Sequence, residues 1–80
     1  MIIMLTGSHC SACDMLKARL DAGGFEYAPV NVKSELGLTL VSELNVRSIP
    51  VLAKKVANKA VMTITGADKP MSIYKEFFND

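Results

Sequence analysis

The positions after Met1, from Ile2 to Thr6, form an unbroken run of apolar and β-branched residues, the pattern of a central strand buried on both faces. Gly7-Ser8-His9 breaks the run and turns the chain. From Cys10 the spacing becomes helical: Ala12, Leu16 and Leu20 recur every fourth residue, and Met15 and Ala18 widen the stripe. Lys17 and Arg19 lie late in this helix, where cations suit its dipole, and Gly23-Gly24 ends it. Phe25 to Val32 (FEYAPVNV) returns to alternation with an interruption at Pro29. A residue without an N–H predicts a strand at a sheet edge or one that carries a bulge. Ser34 suits the cap of a second helix, with Leu36, Leu40, Val41 and Leu44 on one face. Gly37 weakens the first turn of that helix, and Asn45 suits a left-handed exit. Pro50 to Lys55 and Ala60 to Thr65 predict an antiparallel hairpin turning at Ala57-Asn58-Lys59. Asp68-Lys69-Pro70 opens a last helix, with an acidic cap and a proline in the first turn. In that helix Ile73 with Phe77, and Tyr74 with Phe78, are spaced to seat it on a sheet.

The predicted order is therefore β-α-β-α-β-β-α, in one domain spanning residues 1–80. A β-α-β unit crosses over right-handedly and leaves its two strands parallel. The later hairpin extends the sheet on the other side. The expected fold class is α/β, a four-stranded mixed sheet with helices on both faces. In open sheets of this kind, sites form beyond the carboxyl ends of the strands, and Gly7 to Cys13 lies at such an end.

Composition narrows the partners. Half of the 80 residues are hydrophobic, which predicts a packed globule. Nine Lys plus Arg against eight Asp plus Glu give a net charge of +1, which argues against nucleic acid or an anionic membrane as a partner. The local basic patch of Lys54, Lys55 and Lys59 reads as a solvated hairpin turn. No stretch approaches the roughly 18 apolar residues that span a bilayer. The start, MIIMLTG, has no basic n-region and too short an apolar run for a signal peptide, so a cytoplasmic location is expected.

Cys10 and Cys13 are the only cysteines, and they flank Ser11-Ala12. A single bridge over so short a loop adds little constraint to the unfolded chain, so stapling is a weak reason for the pair. Redox chemistry is a stronger one. The thiolate is the reactive form of cysteine, and the first turn of a helix favours it through unpaired N–H groups and the dipole. Cys13 lies one turn later on the same face, so Cys10 can attack a disulfide and Cys13 can resolve the adduct. His9, when charged, stabilises a neighbouring thiolate; otherwise it is a solvated loop imidazole that shapes the rim. The rival from another class is a soft-metal carrier, since two thiolates suit Cu(I). Copper carriers, however, run β-α-β-β-α-β, and this chain is predicted to end in a helix. A structural zinc site needs four ligands, more than two cysteines and His9 provide. Ser48-Ile49-Pro50, leading into the third strand, is a second signal: a proline placed there faces the cysteines across the sheet end.

Together the strand–HCSAC–helix unit, GFEYAPVNV, NVRSIPVL and TITGADKPMSIYKEFF resemble the glutaredoxin and thioredoxin group over nearly the whole chain. The short length resembles the minimal glutaredoxin form. The resemblance implies a minimal thioredoxin fold and a dithiol–disulfide oxidoreductase, with Cys10 as nucleophile, Cys13 as resolving thiol and Pro50 as a cis-proline. It also implies a substrate or glutathione surface made of Ser8, His9, Ser11, Ala12, Ile49, Pro50, Gly66, Ala67 and Asp68. No bound cofactor is implied; electrons come from glutathione or from an enzyme of the thioredoxin-reductase type. The implied partner is a disulfide-containing protein, ribonucleotide reductase being one candidate, and the chain is expected to be a monomer. Two departures stand out. Ser11 and Ala12 replace the Pro-Tyr that glutaredoxins usually place between the cysteines, and His9 stands where thioredoxins have Trp.

Overall fold

A computed structural model of the chain describes residues 1–56 and 60–79. The elements are β1 (Ile2–Thr6), α1 (Ser11–Ala22), β2 (Ala28–Asn31), α2 (Glu35–Glu43), β3 (Val51–Val56), β4 (Ala60–Thr65) and α3 (Met71–Asn79). The four strands form one sheet in the order β2-β1-β3-β4, with β1 parallel to β2 and the other pairs antiparallel. This is the order and the mixed sheet that the sequence predicts. The predicted turn at Ala57-Asn58-Lys59 lies outside the described residues.

β1 lies in the middle, so successive side chains enter opposite faces and both are buried. Met4 joins Leu16 and Leu20 of α1, Leu52, Ala67, and Tyr74 and Phe77 of α3 in the main core. Leu5 is equally buried but belongs to the opposite face, which α2 covers. Pro29 is on β2, an edge strand, where its missing N–H costs no ladder bond.

The first two helices end in the same way. After α1, Gly24 takes φ 73°, its N–H bonds the Asp21 carbonyl, and the Phe25 N–H bonds the Leu20 carbonyl. After α2, Asn45 takes φ 57°, and Asn45 and Val46 repeat those two bonds to Ser42 and Val41. These are Schellman closures, which need a residue that tolerates the left-handed region. At the other end of α2, the Ser34 hydroxyl accepts the Gly37 N–H at 3.0 Å, the predicted cap. Gly37 has a steric purpose as well. A Cβ there would overlap the Asn31 carbonyl, so its absence lets α2 lie directly on the end of β2.

Several expectations are corrected. β2 is shorter than Phe25 to Val32, because the α1 closure takes the Phe25 N–H and the Phe25 and Tyr27 rings pack against the core. The buried stripe of α1 is Cys13, Leu16 and Leu20, while Met15 and Ala18 face solvent. Likewise Leu36 of α2 is exposed, and Tyr74 and Phe77, with Phe78 partly buried beside them, seat α3, while Ile73 is exposed. That helix starts at Met71, beyond Pro70, and Asp68 is not its cap. Lys54 is not solvated. Alternation along β3 puts it on the face of Leu52, where only 6% of it is exposed. There its Nζ donates to the Phe77 carbonyl near the end of α3 and lies 4.5 Å from the Phe77 ring centroid. A cation is favoured at the C-terminal end of a helix.

Candidate active site

The turn after β1 delivers Cys10 to the start of α1. Cys10 is the N-cap rather than the first helical residue, with φ −115° and ψ 97°. Its Sγ accepts the Cys13 N–H at 3.1 Å, and its carbonyl accepts the Asp14 N–H at 3.1 Å. The sulfur thus takes the place that a serine or aspartate oxygen fills at other N-caps. Cys10 and Cys13 are joined by a disulfide, with their Cα atoms 5.2 Å apart. The two sulfurs are not equivalent. Cys10 is only partly buried, whereas Cys13 is 1% exposed and faces the core. An incoming group therefore reaches Cys10 first.

Ser8, His9 and Ser11 are exposed around this pair. His9 holds φ 55°, in the left-handed region that histidine enters more readily than most residues. Ala12 points inward and packs against the core, so of the two residues between the cysteines only Ser11 faces solvent.

The Ile49-Pro50 peptide bond is cis, as the resemblance implies. Pro50 is buried and Ile49 partly so. The Ile49 side chain lies against Gly7, where an added Cβ would stand 2.9 Å from Ile49 Cδ1. Gly7 is therefore more than a turn former: it lets the strand leading to the cysteines approach Ile49. On its other side, the Pro50 carbonyl accepts the Gly66 N–H at 2.9 Å. Gly66 takes φ 99°, a conformation suited to glycine. Of the three candidates in this loop, Asp68 is exposed, while Ala67 is 5% exposed and has its side chain in the core. Ala67 can offer a partner only its backbone.

Sequence reasoning missed the two residues that hold this loop. Arg19 Nη1 and Nη2 donate to the carbonyls of Ala67 and Lys69 at 2.5 and 2.7 Å. Its guanidinium lies 5.2 Å from the centroid of the Tyr74 ring. The buried Tyr74 hydroxyl donates to the Gly66 carbonyl at 2.9 Å and accepts the Lys69 N–H at 3.3 Å. With its carbonyls and N–H groups engaged in this way, the 66–69 segment stays a loop and does not join α3.

The arrangement presents a reachable sulfur beside a buried partner sulfur, and no group of three or more His, Cys, Asp or Glu side chains among the described residues is placed to hold a metal ion. No helix among them is long and apolar enough to cross a membrane. No family model matches the sequence, and no curated protein matches it. Solved structures do. The chain is similar to the crystal structure of thioredoxin f2 from Chlamydomonas reinhardtii, with a TM-score of 0.67 and 18% identity over 98% of this chain and 74% of that one. It is also similar to the solution structure of a thioredoxin from Thermus thermophilus, with a TM-score of 0.64 and 18% identity over 98% of this chain and 69% of that one. Element order, sheet topology and these likenesses agree: the chain has the thioredoxin fold in a minimal, four-stranded form, with a Cys-x-x-Cys pair at the head of its first helix.

Proposed function

We propose that the protein is a thiol–disulfide oxidoreductase that reduces disulfides of other proteins. One observation carries this reading: a partly exposed sulfur caps a helix N-terminus, and a buried partner sulfur lies within bonding reach. In the reduced protein the helix N-terminus and the Cys13 N–H favour the Cys10 thiolate. That thiolate bonds one sulfur of the substrate disulfide; the substrate S–S bond breaks, and the departing thiolate takes up a proton. Cys13, once deprotonated, attacks Cys10 Sγ and releases the second substrate thiol. Two electrons have then passed to the substrate, and the pair is left as the Cys10–Cys13 disulfide.

Ser8, His9, Ser11, Ile49 and Asp68 form the surface on which the substrate docks in this reading. The cycle closes when two glutathione molecules, or an enzyme of the thioredoxin-reductase type supplied with NADPH, return the electrons. A reducing cytoplasm is the setting that such a cycle requires, and an oxidised enzyme, ribonucleotide reductase among them, is the substrate implied by the likeness to small redoxins.

The test is reduction of insulin, or of a mixed disulfide, by three proteins. The wild type is expected to turn over, Cys10→Ser to be inactive, and Cys13→Ser to accumulate a covalent adduct visible by mass spectrometry. Full activity in Cys10→Ser would rule the mechanism out. Running the wild-type assay with glutathione and its reductase, and separately with thioredoxin reductase, identifies the electron source by which one sustains turnover.

A further inference from the structure

We propose that Arg19 is a positioning residue for the disulfide chemistry, the side chain through which α1, the helix that carries Cys13, fixes the loop that backs Pro50. The proposal rests on the thiol–disulfide reading and adds a residue that does not touch the reacting sulfurs. Its basis is a closed ring of contacts. Gly7, three residues before Cys10, abuts Ile49. Ile49 leads into Pro50, whose carbonyl accepts the Gly66 N–H at 2.9 Å. The Gly66 carbonyl accepts the Tyr74 hydroxyl at 2.9 Å, and the Tyr74 ring lies against the Arg19 guanidinium. Arg19 then holds the carbonyls of Ala67 and Lys69 and belongs to the same helix as Cys13, so the ring returns to where it began.

Arginine is the residue that this position requires. The two acceptors are separated by one residue of an irregular loop, and a planar guanidinium offers them two N–H groups at once. Lysine keeps the charge and most of the stem but presents a single ammonium. The guanidinium is also committed inward, to two carbonyls and a buried ring, so it is not a free charge for pairing with substrate. Arg19 follows Cys13 by six residues, well away from the helix start that tunes the Cys10 sulfur. Its loss should therefore loosen Gly66 to Lys69, and through Gly66 the Pro50 segment, while leaving the thiol chemistry alone.

The experiment compares wild type with Arg19→Lys and Arg19→Gln, at a temperature where circular dichroism shows all three folded. The expected result for both variants is a KM for insulin disulfides raised about tenfold, with kcat unchanged within error. The pH dependence of Cys10 alkylation should superimpose on that of wild type, and faster amide exchange should be confined to residues 66–69 and the residues flanking Pro50. A merely structural role would speed exchange throughout and lower kcat with the folded fraction, and that result would overturn the proposal. So would an unchanged KM, or a shifted alkylation profile. Failure of the wild type itself to reduce insulin is a separate outcome: it removes the thiol–disulfide reading and the proposal together, whereas an active wild type with an indifferent Arg19→Lys removes the proposal alone.

Discussion

Under α1 and α3 the sheet meets Leu16, Leu20, Tyr74 and Phe77, all buried, with Phe25, Tyr27 and Phe78 packed around them. Under α2 it meets Leu40, Val41 and Leu44, each only partly buried, while Leu36 and Leu38 stand in solvent. The dense face carries most of what orients the site: the helix bearing the cysteines, the helix bearing Tyr74, and Arg19 between them. The thin face is held by half-buried leucines and by one close approach of backbone to backbone at Gly37. In a chain of 80 residues, which has little apolar surface to spend, tight packing is concentrated where geometry must be kept.

Matched leucine truncations test that contrast most strongly. Leu20 is 0% exposed and Leu38 is 59% exposed. Leu20→Ala should cost about 3 kcal/mol, because the deleted atoms leave a cavity that a close-packed core refills only partly. Leu38→Ala should cost less than about 0.5 kcal/mol. Urea midpoints of the two variants give the comparison directly. Equal losses would mean that Leu38 is packed as Leu20 is, and that no leucine of α2 stands in solvent on the thin face.

Gly37→Ala probes the one point where the thin face is tight. In an exposed helix, alanine is the better residue by about 1 kcal/mol. Here the new methyl meets the Asn31 carbonyl and the Val32 Cα, both backbone, so neither can rotate away. The expected outcome is a loss of about 2 kcal/mol. A more stable Gly37→Ala protein would show that α2 can lift from β2 freely, and the contrast would sharpen into a rigid face and a loose one.

What the sequence discloses and what it hides follows the range of the interactions. Periodicity and caps are local, so the element order, the Ser34 cap and the left-handed Asn45 are legible. Pro29 marks an edge strand because its backbone chemistry permits little else. The cysteine pair is visible for the same reason: one helical turn separates its members. Arg19 is different. Its acceptors lie 48 and 50 residues away, and nothing near it in sequence distinguishes it from Lys17, a cation suited to the end of a helix. Lys54 misleads in the same way, since its burial depends on where α3 returns across the sheet. Phe25 and Tyr27 alternate like strand residues, yet core packing and the α1 closure take them out of the sheet.

The smallest expected effect lies at the rim of the dense face. Tyr27 packs against the main core, and its hydroxyl donates to Asp21 Oδ1 at 2.9 Å. Partial burial, then the hydrogen bond to Asp21 and the charge of that carboxylate, push the Tyr27 phenol from 10.0 up to about 12. Between those values the folded protein keeps a proton that the unfolded chain releases, so stability falls as pH rises. The contribution is complete below pH 10 and is lost as pH passes through about 12. At pH 8 wild type should exceed Tyr27→Phe by about 1 kcal/mol or less, the scale of one hydrogen bond. Every other titratable group is common to the two proteins, so the difference between the two stability curves isolates Tyr27. That difference should shrink steadily from pH 10 to pH 12 as the phenolate forms beside Asp21. A difference that stays constant over the interval would mean that Tyr27 is as free as it is in the unfolded chain, and that the dense face ends before it reaches the 25–27 segment.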